Sequence, residues 1–214
     1  MIGWPLVGRA RPAEPHRSLA RLEALGYLGL LVTQNVDRLH QRAGHENVVD
    51  LHGRLDRVVC LECSAYVGRE SLQAVLEGLN PQLAEQRSVP GPDGDADIPD
   101  TLVHGFNVPQ CGECGGGLKP DVVFYGGTVS KAVVARVEEG VRAADRILVV
   151  GSSLMVFSSF RFCRLADQLS KPVLIVNDGK TRADAIAGLK IAGDCGSVLT
   201  RLEQSLARDH APAW

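Results

Sequence analysis

The sequence has almost no net charge: 23 Lys and Arg stand against 25 Asp and Glu, a formal balance of −2. That removes the electrostatic reason to expect nucleic acid or an anionic membrane as a partner. Long apolar runs are missing too. The longest, Ile147 to Val150 and its neighbours, stops at Gly151, well short of the roughly 18–20 residues that span a bilayer. The start, Met1-Ile2-Gly3-Trp4-Pro5, lacks the charged and apolar regions of a secretion signal. Internal repeats are absent, and so is any G-x-G-x-x-G phosphate loop. These absences point to a cytoplasmic protein in reducing surroundings, where clustered cysteines bind metal more often than they form disulfides.

What is present suits an ordinary folded chain. Of 214 residues, 45% are hydrophobic and 22% charged, enough to build a core for one domain, or for a main domain with a smaller one attached. Leu19, Leu22 and Leu25 recur at helical spacing within His16 to Leu25, and Gly26 follows as a stop. Further helices are predicted over Arg69 to Leu79, Val133 to Ala144, Phe160 to Leu169 and Ser197 to Leu206. Buried strands are predicted at Leu28 to Thr33, Arg57 to Cys60, Asp121 to Tyr125, Arg146 to Val150 and Val173 to Val176. Strands alternating with helices make an α/β fold with a parallel sheet covered on both faces. Residues 64–110 break that alternation and read as a small inserted module, with an acidic, turn-rich surface loop over Gly91 to Asp97.

That insert is bracketed by two C-x-x-C pairs, Cys60 with Cys63 and Cys111 with Cys114. Each pair forms a tight knuckle, and two knuckles supply the four-sulfur shell of a structural zinc ion. Gly112, Gly115, Gly116 and Gly117 relieve crowding around the second pair. Disulfides or free thiols are the competing readings, although a redox C-x-x-C usually comes singly beside a helix start. Four protein ligands close the shell, so zinc here stabilises the module and does not act on substrate. Cys163 reads as a small buried residue.

Several motifs appear in a fixed order: Thr33-Gln34-Asn35-Val36-Asp37-Arg38-Leu39-His40, Leu51-His52-Gly53, the two cysteine pairs, and Gly151-Ser152-Ser153-Leu154-Met155-Val156. Asn177, Thr181-Arg182-Ala183-Asp184 and Cys195-Gly196 complete the set. In these stretches, which run over nearly the whole chain, the sequence resembles the sirtuins. The inter-cysteine loop and Leu118 to Phe124 look most like the class II branch. The resemblance implies a Rossmann-like parallel sheet domain binding NAD over residues 1–56 and 118–214, and a zinc-binding module over residues 57–117. An acyl-lysine tunnel is implied in the cleft between them. It also implies NAD-dependent removal of an acyl group from a protein lysine, with nicotinamide released and the acyl group ending on ADP-ribose.

By the same resemblance His52 is the base that activates a ribose hydroxyl, a task that suits an imidazole titrating near neutrality. An isolated histidine is otherwise a surface or core residue, and His40, His45 and His104 are read so. Gln34, Asn35, Val36 and Asp37 are implied to line the nicotinamide and ribose pocket, just past a strand's carboxyl end. Gly151, Ser152 and Ser153 form another strand-end turn suited to ribose or phosphate. Asn177, with Asp178 and Gly179, is assigned to the adenosine side, and Cys195 to either an adenine contact or a structural place. Gly179-Lys180-Thr181 has only the ending of a Walker loop, because the glycine needed five positions earlier is Leu174.

The resemblance has departures. Sirtuins open with a G-A-G-x-S loop that cradles the NAD phosphates, and this chain starts downstream of it, as an amino-terminally truncated domain. Weakened NAD affinity is the expectation. Gly127, Asp178 and Lys180 also replace the more usual family residues. Two alternatives to deacylation follow: transfer of ADP-ribose to a protein, and a non-catalytic zinc and partner-binding remnant. A zinc-ribbon nucleic-acid binder is disfavoured by the acidic balance.

Overall fold

The β-branched runs form strands, and three strands of only three residues each, too short to carry a pattern, join them. The computed structural model describes residues 1–83, 100 and 104–209; the acidic Gly91 to Asp97 stretch lies outside the described residues. In chain order come α1 (Trp4–Arg9), α2 (Glu14–Ala24), β1 (Leu31–Thr33), α3 (Leu39–Arg42) and β2 (Val48–Asp50). Next are β3 (Gly53–Cys60), β4 (Tyr66–Gly68), α4 (Arg69–Leu79) and β5 (Leu118–Val122). The remainder is α5 (Lys131–Ala143), β6 (Ile147–Val150), α6 (Phe157–Gln168), β7 (Val173–Val176), β8 (Leu189–Ile191) and α7 (Cys195–Asp209). The chain divides into two units: Met1–Ala10, Val36–Arg38 and Gly53–Val122 in one, and Arg11–Asn35, Leu39–His52 and Val123–Trp214 in the other.

The larger unit is the α/β layer that the alternation predicts. Its strands are parallel, but among the described residues they fall into two groups, β1-β2 and β6-β7-β8. Burial alternates along the outer strands, Leu31 and Val149 at 7% exposure against Val32 at 37% and Leu148 at 36%, while Ile175 in the central β7 is 1% exposed. Val137 and Val141 of α5 and Phe162, Cys163 and Ala166 of α6 pack with Val149, Val173 and Ile175 in one core. Cys163 is buried there as predicted, and burial pushes its thiol up to about 11. Local chemistry sets the helix ends. Pro15 occupies the first turn of α2, two residues earlier than the leucine spacing suggests. The Ser130 hydroxyl accepts from the Val133 N–H, which starts α5 at Lys131.

The smaller unit is an antiparallel sheet in the order β4-β3-β5, with α4 against it and Val58, Leu72 and Leu76 in its core. One predicted strand is displaced. The segment expected at Asp121 to Tyr125 pairs as Leu118–Val122, because the chain leaving the second cysteine pair returns directly along β3, Leu118 opposite Cys60. Pro120 cannot donate to a ladder, and it sits where the register shifts between Arg54 and Val58. Past Val122 the chain turns at Gly126, whose φ is 82°.

Candidate functional site

The four paired cysteines converge. Cys60 ends β3, and Cys63 returns from it through a knuckle closed by Ser64 at φ 61°. The second knuckle turns at Gly115, φ 74°, whose N–H donates to the Cys111 carbonyl. Backbone N–H groups of Glu62 and Gly116 point at the sulfurs of Cys60 and Cys114, each at 3.4 Å. Gly116 has no room for a side chain: a Cβ there would lie 3.0 Å from the Cys60 sulfur and 2.5 Å from Glu62 Cγ.

All four sulfurs lie within 4.8 Å of one another, with Cys60 and Cys114 at 3.5 Å and Cys63 and Cys111 at 3.7 Å. Four sulfurs held tetrahedrally at about 2.3 Å from one ion stand about 3.8 Å apart, so the set has the size of a four-sulfur metal shell. Every cysteine is a free thiol. Sulfurs this close do not all ionise by themselves. Cys60 is drawn down to about 7, chiefly by the Cys63 backbone N–H. Cys63 is pushed up to about 12: the Ala65 N–H lowers it, but Cys114, burial and the other sulfurs outweigh that. A cation among them would let all four carry charge.

In the larger unit the carboxyl ends of the parallel strands hold a second group. Gln34 follows β1 and Ser152 follows β6, and Gln34 Nε2 donates to Ser152 Oγ at 2.8 Å. The Ser152 hydroxyl also accepts from the Leu154 N–H at 3.2 Å, which shapes the turn. Gly151 takes φ 60°, and a Cβ on it would meet the Cys195 sulfur at 3.7 Å. Cys195 donates to the Val176 carbonyl at 3.3 Å, one residue before Asn177. Asn177 Nδ2 donates to the Gly179 carbonyl, which also accepts from Lys190 Nζ. Asp178 and Ser153 are exposed beside this group, and the Asn35 N–H is taken by Thr33 Oγ1. Val36 and Asp37 are elsewhere in the division of the chain: they belong to the smaller unit, where the Val36 carbonyl accepts from the Leu55 N–H.

Thr181-Arg182-Ala183-Asp184 braces the same strand-end turn. The Arg182 N–H donates to the Ser153 carbonyl at 2.9 Å, and its Nη1 donates to the Met155 carbonyl at 3.0 Å. Thr181 Oγ1 donates to Asp184 Oδ1, and hydrogen bonds from Lys190 and then Thr181 hold the Asp184 carboxyl down at about 2.

His52 stands between Leu51, which is fully buried, and Gly53. Its ring is half-buried and its Nε2 lies 2.8 Å from Ser158 Oγ, in the first turn of α6. Burial lowers its pKa below the ordinary 6.5, against a hydrogen bond with the Gln34 backbone that raises it. Burial thus favours the neutral form of the ring. His45 differs: it is buried, its Nδ1 3.2 Å from the Glu23 carboxylate, and His104 is exposed.

Comparison with known proteins settles the kinship. The model of the Sir2 family matches residues 4–158. The chain belongs to the Sir2 family. A relative from Xanthomonas campestris, an NAD-dependent protein deacetylase, is 49% identical over 204 residues, covering 95% of this chain and 70% of its own. The NAD-dependent protein deacylase Sirt4 of Drosophila melanogaster is 42% identical over 94% of this chain and 64% of its own. A solved structure of Sir2 with a p53 peptide and NAD+ has a TM-score of 0.74 at 27% identity, covering 94% of this chain and 72% of that one.

Within this Sir2-family chain, sequence reasoning missed Ser158, the hydroxyl on His52. A serine in the first turn of a helix carries no motif, and its contact spans 106 residues. The bracing role of Arg182 was equally hidden, because its partners are backbone carbonyls that only folding brings near. No helix among the described residues is long and apolar enough to cross a membrane.

Proposed function

We propose that this Sir2-family chain is an NAD-dependent protein-lysine deacylase, with His52 as its base. The observation that carries the reading is a half-buried imidazole, its pKa lowered by burial, in the unit where Gln34 and Ser152 join two parallel strand ends. Kinship supports it, since the relatives at 42–49% identity are named NAD-dependent protein deacetylases and a deacylase. Open parallel sheets bind ligands at the carboxyl ends of their strands. Gln34, Asn35, Val36 and Asp37 are assigned to the nicotinamide and ribose end of NAD. Gly151, Ser152 and Ser153 are assigned to the ribose and phosphates, and Asn177, Asp178, Gly179 and Cys195 to the adenosine end. Gly151 supports this assignment: its left-handed turn, with no side chain, ends β6 and sets Ser152 and Ser153 at the carboxyl end of the strand.

NAD supplies an activated ribose and a leaving nicotinamide. The chain's part is to accept the proton of a ribose hydroxyl at an imidazole nitrogen of His52, and the acyl group of the lysine ends on ADP-ribose. Cys60, Cys63, Cys111 and Cys114 are assigned one zinc ion that staples residues 57–117 together, with no open coordination position for substrate. Residues 1–56 and 118–214 form the NAD-binding part of this reading. The partner is an acyl-lysine protein segment, in keeping with Sir2 structures that hold a p53 peptide or an acetylated peptide. A cytoplasmic location belongs to the same reading, since a reducing compartment keeps the four thiolates available.

The test is incubation of the zinc-loaded chain with NAD and an acetyl-lysine peptide, following nicotinamide and peptide mass together. Nicotinamide release with loss of the acetyl mass is the expected result, abolished by His52→Ala. A chain that binds NAD but releases no nicotinamide sinks the reading. A protein target that gains the mass of ADP-ribose while the peptide stays acetylated replaces it with ADP-ribosyl transfer.

A further inference from the structure

The hydroxyl on His52 has a consequence for how the base works, given the deacylase reading. A backbone group that raises a histidine pKa is a carbonyl accepting from its N–H, and the Gln34 backbone does so here. With Nε2 on Ser158, the N–H given to Gln34 is the one on Nδ1. In a neutral ring the lone pair then lies on Nε2, so the contact at 2.8 Å is a hydroxyl donating to that lone pair.

We propose that Ser158 is a positioning residue for His52, its hydroxyl holding the imidazole as the Nδ1–H tautomer with the Nε2 lone pair aimed and hydrogen-bonded until a substrate hydroxyl takes its place. The fold makes Ser158 suitable. It lies one residue into α6, where Val156 and Phe157 start the helix and Ser159 Oγ donates back to the Val156 carbonyl, so the first turn is fixed. Arg182 anchors the Met155 carbonyl just before it. Gln34 is shared between both ends: its side chain donates to Ser152 while its backbone holds the His52 ring. The proton traffic balances without a further reactant. When a ribose hydroxyl replaces Ser158, its proton passes to Nε2, the ring becomes imidazolium with both nitrogens protonated, and Ser158 keeps its own proton. With the Nδ1–H given to the Gln34 carbonyl, the ring presents Nε2 to the incoming hydroxyl. The first turn of α6 adds its N–H dipoles on the Nε2 side, which favours the neutral ring before the proton arrives.

The decisive measurement is nitrogen NMR of the full chain labelled at histidine, with His52 assigned from the His52→Gln variant. Wild type should show the Nδ1–H tautomer with a hydrogen-bonded Nε2. Ser158→Ala should shift the Nε2 resonance toward that of a free lone pair and raise the His52 pKa, because a donor to the neutral form is gone. Ser158→Thr, which keeps the hydroxyl, should restore both. An Nε2–H tautomer in wild type overturns the proposal. So does a Ser158→Ala variant that leaves the ring nitrogens unmoved or lowers the pKa. In turnover, Ser158→Ala should lower kcat about fivefold to tenfold, the scale of one neutral hydrogen bond, with the KM for NAD within about twofold. A loss confined to KM also overturns it. A wild-type chain that releases no nicotinamide counts against the deacylase reading alone, because the nitrogen spectra decide the role of Ser158 by themselves.

Discussion

Gly53→Ala is the perturbation that best tests how the L-H-G segment is built. Gly53 takes φ 84°, and a Cβ placed on it would lie 2.1 Å from the Asp121 carbonyl oxygen and 2.9 Å from Val122 Cα. These atoms belong to β5, which pairs Gly53 with Val122 and Arg54 with Asp121. Carbon and carbonyl oxygen approach no closer than about 3.3 Å, so β3 and β5 must part by roughly 1.2 Å at this pair. Left-handed backbone costs a non-glycine residue about 1–2 kcal/mol, and the disturbed ladder loses a hydrogen bond of about 1 kcal/mol or more. The sum is about 3 kcal/mol, which lowers Tm by roughly 6–12 °C in a chain of this size. Gly26→Ala is the control. Gly26 has nearly the same φ, 80°, with nothing within 4 Å of the added carbon, so only the conformational cost of about 1–2 kcal/mol remains. Thermal unfolding followed by circular dichroism compares the two. If Gly53→Ala falls no further than Gly26→Ala, the close approach to β5 is not what requires glycine beside His52.

Cys111→Ser should abolish binding of one zinc per chain in elemental analysis, and with it the hydrogen-exchange protection of Val58 and Val67 in β3 and β4, because metal binding and folding of a small module are coupled. Gln34→Ala removes the donor to Ser152 Oγ and should weaken NAD about fivefold to tenfold by calorimetry, with far-ultraviolet dichroism unchanged. His45 and His52 are both held below their ordinary 6.5 by burial. Above that pH both rings are neutral folded or unfolded. As pH falls through it, the unfolded chain takes protons first, so stability should drop between about pH 7 and 5. Urea unfolding across that range should show the loss, and His45→Gln should make it shallower.

The strands and helices were legible where periodicity had room to act. Arg69 to Leu79 is a helix over the predicted residues, because Leu72 and Leu76 face one core and no proline intervenes. Val173 to Val176 is a strand as predicted, a continuous apolar run paired on both sides. Strands of three residues, Val48–Asp50, Tyr66–Gly68 and Leu189–Ile191, carry no period, and pairing alone makes them strands. The segment at Leu118–Val122 slipped for the same reason: its ends are set by where β3 lies, not by its own residues.

The site divides along a similar line. Two C-x-x-C pairs announce a four-sulfur cluster in the sequence, since each knuckle is closed by its neighbours, and the pairing of β3 with β5 brings the two knuckles together. The sequence likewise singled out His52 and the strand-end residues Gln34, Ser152 and Asn177, because their motifs are contiguous. What those side chains touch was decided only by the tertiary structure. Gln34 meets Ser152 across 118 residues, and His52 meets Ser158 across 106. Val36 and Asp37 part from Asn35 into the smaller unit. Local sequence sets the backbone's period and turns, because those forces act within a few residues. The surroundings of His52, its burial, the Gln34 backbone and the Ser158 hydroxyl, come together only when the whole larger unit closes.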